Sequence, residues 1–431
     1  MKKIHFIIGF TMLVCILQIS WVQPVSQVVT SEKLRAWLLS EIDSTLNQVQ
    51  FSLAHVANVE ELKIRYSIAR KHYKHIEFYI EYCSPRQAKY YINGPLVPKF
   101  DEEHYSRLDP CGFQRIEELL FDSETYPDSI LLRKEYQLLI NQFSSLRSYY
   151  KDMQISNGIV LEMCQLQLFR IASLSLNGYD ATIRLNSIEE IIHSLDGMET
   201  TLKFYKIYAE SDARINVIYK DLFKAINSAQ KVLKAHGDYN TFNRLGFITG
   251  QINPLNKLLV DFHLAANLHW NTRKQALNLR QPLLFAKHSF NLRYFSIYFN
   301  DTTNLHEQAE LGKLLFFDPI LSGNKERACA SCHQPALAFT DGLTKSVGFN
   351  RTGVAQRNSP TLLNVVFQKA FFYDGRALQL EQQLFDVVHN QTEMSGSLTD
   401  AAEKLKQSSE YKKLLPLLLL VLQRLKLHLM A

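Results

Sequence analysis

Through most of the first 280 positions, apolar residues return every three or four places. The segment Ser187–Leu195 is representative: Ile188, Ile191, Ile192 and Leu195 fall at i, i+3, i+4 and i+7, which lines one face of a helix. Ser187, with Glu190 three residues on, has the form of a capping box at its start. The same spacing runs through Leu34–Leu46, Leu62–Tyr79 and Ile218–Leu233. This pattern predicts a helical domain over about 30–280, interrupted by a loop over Asn93–Pro110, where Gly94, Pro95, Pro98 and Pro110 gather. From Asn271 to Thr303 polar and aromatic residues mix without a stripe, so a domain boundary is expected there. A further helix is expected over Glu307–Phe317, then a turn at Asp318-Pro319, a loop over Leu321–Arg327 and a long loop over Thr340–Pro360. The expected fold class is all-α, in two domains.

A length of 431 residues suits two domains, and 46% hydrophobic with 21% charged residues describes a chain that folds. The net charge of +6 is scattered, with no basic stripe interleaved with aromatics, so no nucleic-acid partner is expected. At the N-terminus, Lys2 and Lys3 precede the apolar run Ile4 to Val22, which has the form of an export signal over 1–26. A cleaved signal is the favoured reading. The run is also close to membrane-spanning length, which would make it an uncleaved anchor and the chain's one membrane contact. Cys15 follows the bulky Val14, a poor lipoprotein cleavage box. Each reading puts the remaining chain outside the cytoplasm, with the periplasm as the expected location. Disulfides are then permitted. Cys83 and Cys111 lie beside Pro85 and Pro110 and form a candidate pair; the alternative is that these two and Cys164 are free thiols.

The most specific chemistry lies at Cys329-Ala-Ser-Cys332-His333, the spacing of c-type haem attachment. Two thiols three residues apart on one turn can each add to a vinyl group of the same porphyrin. The adjacent imidazole then supplies the proximal iron ligand. A zinc site would need a second Cys/His pair at suitable spacing, and none follows. A redox dithiol would need a strand before the motif, where the residues read as loop. Cys329, Cys332 and His333 are therefore expected to hold one covalent haem c, with His333 the metal ligand.

Further motifs arrive in a fixed order around this one: Leu311-Gly-Lys-Leu-Leu-Phe-Phe-Asp-Pro319, Phe339-Thr-Asp-Gly342, Arg357-Asn-Ser-Pro-Thr-Leu-Leu-Asn364 and Phe372-Tyr-Asp-Gly-Arg376. Together they resemble the bacterial di-haem cytochrome c peroxidase family, which includes MauG-type enzymes, over about Glu307 to Tyr411. In that family an N-terminal haem domain holds the peroxidatic haem, and a C-terminal domain holds a second haem that receives electrons from a donor protein. The resemblance implies a class I cytochrome c-like haem domain over 300–413, hydrogen peroxide as substrate, and a small cytochrome or cupredoxin as electron donor. It also raises calcium as a cofactor, for which the motifs here give little support. By the family's spacing, Glu393 matches the acidic residue near the peroxide, and Gln383 the residue that orients it. Splitting the O–O bond needs a proton moved from the near oxygen to the far one, which a carboxylate can do; an amide can hydrogen-bond the bound oxygen. Arg376 is expected either to pair with a haem propionate or to be structural, and Asp374 beside Gly375 to make a turn. Met394 is expected in the core.

The chain departs from that family in three places. The loop Ser346–Asn358 has no His where many members carry a distal ligand, which predicts an iron open on its far side. Tyr373 stands where Trp is frequent; it is still oxidisable. No second Cys-x-x-Cys-His follows, and the tail 414–431, with Leu414 to Leu422 interrupted by Pro416, is unlike the family and reads as a truncated or frameshifted product.

Residues 33–270 resemble, more weakly, the helical imelysin-like domain, through Tyr73–Pro85, Gly112-Phe-Gln-Arg-Ile-Glu-Glu118 and Phe242-Asn-Arg-Leu245. That family's Gly-x-His-x-x-Glu motif here reads Gly112, Gln114, Glu117, and an amide is a poor transition-metal ligand. Gln114 and Glu117 are expected in a polar stripe, and His55, His72, His75 and His104 on the surface. The resulting reading is an exported peroxide-reducing haem protein. The alternatives are a non-enzymatic electron-transfer cytochrome, and a binding or sensory module with a vestigial haem domain.

Overall fold

The computed structural model describes residues 25–95, 98–101, 106–122, 127–272, 275–295 and 305–411. The export segment up to residue 24, Cys15, His104 and the tail 414–431 lie outside the described residues. The chain is mostly helical and divides into two compact units. Of the described residues, one comprises 25–95, 98–100, 107–122, 127–272 and 278–289; the other comprises 101, 106, 275–277, 290–295 and 305–411.

The first unit is a bundle. Its long helices are α1 (Val25–Ala54), α2 (Val59–Cys83), α3 (Gly112–Phe121), α4 (Ser129–Asp152), α5 (Asn157–Ser173), α6 (Ser187–Lys203), α7 (Ala213–Ala235) and α8 (Asn253–Ala265). Helix α1 packs on α2 and α4, α2 on α6, and α7 on α8. The apolar positions that predicted these helices form one continuous core. On α2, Leu62, Tyr66, Ala69, Tyr73, Ile76 and Ile80 are all buried, at the 3–4 spacing that keeps them on one face. The start of α6 differs from the sequence expectation. Asn186 is the N-cap, and the Ser187 hydroxyl is buried without a hydrogen-bond partner among the described residues. The Glu190 carboxylate is held by Arg70 instead of reaching back to cap the helix. Within Asn93–Pro110, a two-stranded ladder, β1 (Lys99–Asp101) with β2 (Ser106–Leu108), replaces the expected irregular loop. Cys83, Cys111 and Cys164 are free thiols. Cys111 donates to the Tyr90 carbonyl at 2.9 Å, and burial pushes it and Cys83 up to about 11.

A second face of α2 carries Arg70, Lys74, Glu77 and Glu81. Arg70, Lys74 and Glu77 are nearly inaccessible. Such charges survive burial only when paired and hydrogen-bonded. Arg70 Nε donates to Glu190 at 2.9 Å, Nη1 to Asn93 at 2.9 Å and Nη2 to the Asp180 carbonyl at 3.0 Å. Lys74 donates to Glu77 at 2.9 Å and to the Asp180 carboxylate. Arg170 from α5 pairs with Glu81 at 2.8 Å, and Gln167 donates to Glu77 at 2.7 Å.

The second unit is built differently. Its described helices are α9 (Leu305–Phe317), α10 (Leu380–His389) and α11 (Leu398–Gln407), joined by long loops with 3₁₀ turns. Its core cluster is Leu311, Leu405 and Tyr411.

The buried network makes a quantitative prediction. Replacing Glu190 with Ala leaves the Arg70 guanidinium buried without its main counter-charge, which should cost about 3–5 kcal/mol. Chemical denaturation of wild type and Glu190→Ala, followed by circular dichroism, measures this; a loss below ~1 kcal/mol would show the network to be marginal to the bundle.

Candidate functional site: a haem attachment centre

The Cys-x-x-Cys-His segment closes a single tight turn. Residues Cys329–Ser331 form a 3₁₀ turn on which Cys332 N–H and His333 N–H both donate to the Cys329 carbonyl, at 3.2 and 2.9 Å. The Ser331 hydroxyl accepts from Ala328 N–H at 3.1 Å and caps the turn. Both thiols and the imidazole are thereby gathered on one piece of backbone. Helix α9 packs against this turn.

His333 is half-buried, and its Nδ1 donates to the Phe339 carbonyl at 3.0 Å. That bond leaves Nε2 as the nitrogen with a free lone pair, the arrangement that orients a metal-binding histidine. Burial raises the Cys329 thiol above its ordinary value. Burial also raises Cys332, opposed by the Arg327 charge and reinforced by Asp341 and Glu393. Both are therefore neutral thiols at neutral pH.

These residues fit a covalently attached haem. The donor set is right, and the unit around it leaves apolar side chains without cover: Leu314, Phe317, Leu337, Leu343, Val354 and Leu363 are each about half exposed. A flat apolar macrocycle would cover such surface.

Two turns converge on the motif. The segment Leu321–Arg327 docks against the turn after α10, with Gly323 N–H donating to the Met394 carbonyl at 3.0 Å. Gly396 permits this contact, because a Cβ there would stand 2.3 Å from the Leu321 carbonyl oxygen. Arg327, which sequence reasoning did not single out, is the clamp. It donates to the carbonyls of Glu393 at 3.1 Å, Val347 at 2.8 Å and Gly348 at 2.8 Å. An Arg two residues before the first Cys carries no signal of this role; the carbonyls it binds lie 20 to 66 positions away.

Glu393 is half-buried and accepts from Asn390 Nδ2 at 2.9 Å. Burial lifts its carboxyl above the ordinary glutamate value, against the pull of Arg327 and Arg376. The structure thus brings Glu393, Arg327, Arg376 and Cys332 within electrostatic reach of one another. Gln383 sits half-buried on α10, and among the described residues no hydrogen bond joins it to Glu393. Arg376 is exposed; it donates to Asp374 at 2.9 Å, lies 3.5 Å from Asp386 and stacks over the Phe372 ring at 3.5 Å. Asp374 caps that turn, with Gly375 at φ +67°. Met394 is buried. Tyr373 is 86% exposed, with the Arg357 guanidinium 4.2 Å from its ring centre.

In the first unit, Gln114 and Glu117 are buried within the bundle on α3. Gln114 donates to the Tyr179 carbonyl at 3.0 Å, and Glu117 accepts from Arg184 N–H at 3.0 Å. His55 is exposed as expected. His72 and His75 are not surface residues: both are partly buried and share the Glu41 carboxylate, at 2.7 and 3.1 Å.

Residues 306–418 match the sequence pattern of the di-haem cytochrome c peroxidase family. The methylamine utilization protein MauG of Methylorubrum extorquens is 42% identical over 108 residues, covering 25% of this chain and 30% of that protein. The cytochrome c551 peroxidase of Nitrosomonas europaea is 42% identical over 98 residues, covering 23% and 29%. The cytochrome c551 peroxidase of Pseudomonas aeruginosa is 39% identical over 105 residues, covering 24% and 30%. The chain thus spans under a third of the length of these relatives. With its attachment turn, its oriented histidine and these relatives, the segment 306–418 is similar to the di-haem cytochrome c peroxidase family.

Proposed function

We propose that the chain is an exported, periplasmic protein whose second unit, class I cytochrome c-like in fold, carries one covalent haem c. Its proposed activity is the reduction of hydrogen peroxide with electrons from a small cytochrome or cupredoxin. The observation that carries this reading is a half-buried carboxyl, Glu393, lifted above its ordinary value and clamped through its backbone beside the attachment turn. Cys329 and Cys332 would hold the haem by thioether bonds, and His333 Nε2 would ligate its iron. The haem supplies the redox chemistry when bound.

The protein's share is proton handling and access. Reducing peroxide to water consumes two protons and two electrons. Glu393, as carboxylate, takes the proton from the near oxygen and returns it to the far one; Gln383 orients the substrate. Asn390, hydrogen-bonded to Glu393, fixes the carboxyl's direction. Arg376 is held by Asp374 and Asp386; it can turn to a propionate only by giving up that pairing. Tyr373, exposed and oxidisable, is suited to pass electrons from a docked donor. The loop 346–358 closes on itself, with Ala355 N–H donating to the Ser346 carbonyl at 2.7 Å, and offers no imidazole to the iron.

Glu393 must be ionised to accept a proton, so turnover should fall as pH drops through its raised value. The acid limb of the rate profile should lie above the ordinary glutamate pKa of about 4.3. Glu393→Gln should remove that limb and cut turnover roughly 10²–10⁴-fold with the haem spectrum unchanged. Near-wild-type turnover in this variant would sink the assignment. The iron should also be open in the resting oxidised protein, giving a high-spin spectrum; a low-spin bis-histidine spectrum would favour an electron carrier instead.

A further inference from the structure

A second centre lies within the helical bundle. Helix α6 presents His193, Asp196 and Gly197 at i, i+3 and i+4, on one face. Gly197 lets that face close on α2: a Cβ there would stand 2.0 Å from the His75 carbonyl oxygen. The close approach sets His193 and Asp196 beside His75. One ligand atom from each of the three lies within 4.8 Å of the other two.

The pattern of hydrogen bonds at this point is incomplete in a specific way. His75 Nδ1 pairs with Glu41 Oε2 at 3.1 Å, so the imidazole is oriented from behind with Nε2 turned away. His75 Nε2 and His193 Nδ1 are both buried without a hydrogen-bond partner among the described residues. Buried polar atoms rarely go unpaired, and each instance calls for a cause such as an ion. Asp196 Oδ2 lies 3.6 Å from His193 Nδ1, while its other oxygen accepts from Gln230 Nε2 at 2.8 Å. Two ring nitrogens and one carboxylate oxygen therefore converge, with His75 steadied from its far side by Glu41 and Asp196 by Gln230. The Asp196 side chain is 43% exposed, which gives an ion a way in and leaves coordination positions for water.

We propose that His75, His193 and Asp196 bind one divalent first-row transition-metal ion, of the zinc or ferrous class, with Glu41 as the outer-shell partner of His75. Two imidazoles with one carboxylate suit these ions and not calcium or magnesium, which take oxygen ligands. The neighbouring trio Glu41, His72 and His75 also has ligand atoms within 4.8 Å of one another. An ion there would have to break the hydrogen bonds at 2.7 and 3.1 Å that already satisfy those atoms. An ion on the α6 side would replace only the longer 3.6 Å contact between His193 and Asp196. The site is separate from Gln114 and Glu117, whose carbonyl and amide partners leave no comparable convergence.

The test uses the full haem-loaded chain and zinc chloride. Zinc is counted by elemental analysis after dialysis, which separates it from haem iron, and its affinity is measured by competition with a chelating dye. Wild type should retain one zinc per chain. His193→Ala and the isosteric Asp196→Asn should each weaken binding by at least the roughly 10–100-fold that loss of an outer-shell partner costs. His55→Ala should leave it unchanged, and circular dichroism melts without zinc check that each variant folds. Zinc absorption-edge spectroscopy should show imidazole ligands in wild type. No zinc retained by wild type, or equal affinity in Asp196→Asn and wild type, would overturn the proposal. So would loss of binding in His72→Ala with His193→Ala unaffected, since that places the ion on the other trio.

Discussion

The hydrogen bond from His333 to the Phe339 carbonyl is the constraint on which the proposed haem site depends. An imidazole next to two thioether-forming cysteines can serve an iron only if one nitrogen is tied down and the other aimed. The acceptor here is a backbone carbonyl, so its direction is set by the chain itself. Ala338 and Phe339 both adopt left-handed backbone angles, φ +53° and +61°, to deliver it. For residues with a Cβ, and for a bulky one above all, such angles cost of order 1–3 kcal/mol each. That strain persists because the turn is closed elsewhere: Gln334 N–H donates to the Thr340 carbonyl at 3.0 Å, and Phe339 N–H to the Gln334 carbonyl at 2.8 Å. The motif Phe339-Thr-Asp-Gly342 therefore matters less for its side chains than for the carbonyl it aims.

The same unit shows what a missing core implies. The bundle buries a continuous set of leucines, isoleucines and aromatics. Among the described residues, the second unit gathers Leu311, Leu405 and Tyr411 into a cluster of its own. Several of its other buried apolar residues are alanines, which contribute little area. Polar clamps do part of the work instead: Arg327 binds three carbonyls, Lys404 donates to the Ser322 carbonyl at 3.3 Å, and Tyr411 donates to Asp318 at 2.8 Å. On the proposed function, a covalent haem would be the centre around which these half-exposed side chains pack. Attachment and folding would then be one event, as ligand binding and folding are in small metal-dependent domains.

Legibility in the sequence followed the same division. Helices α1, α2, α6 and α7 were readable because their apolar stripes have a helical period and face a large core. Cys329, Cys332 and His333 stood out because their spacing along the chain is that of haem attachment. Glu393 and Gln383 could be placed only by resemblance, since nothing local distinguishes them from solvated polar residues. Arg327 and the Glu41–His75–His193–Asp196 grouping could not be read at all, because their partners come from distant segments. The Ser187–Glu190 capping box failed for a related reason: a long-range partner, Arg70, outcompetes a local backbone N–H for the Glu190 carboxylate.

Helix α2 shows how one element carries separate tasks on separate faces. Leu62, Tyr66, Ala69, Tyr73, Ile76 and Ile80 pack the core. Arg70, Lys74, Glu77 and Glu81 run at i, i+4, i+7 and i+11, a pattern that in sequence reads as a solvated stripe. In the fold they are internal and matched by Glu190, Asp180 and Arg170. Because those charges neutralise one another through short hydrogen bonds, an incoming ligand would have to displace a counter-charge from a dry interior, at a cost of several kcal/mol. On its remaining face His75 keeps a buried nitrogen with no hydrogen-bond partner among the described residues. Ligand chemistry in the bundle is therefore expected where the internal pairing is unfinished, and not where the charges are densest.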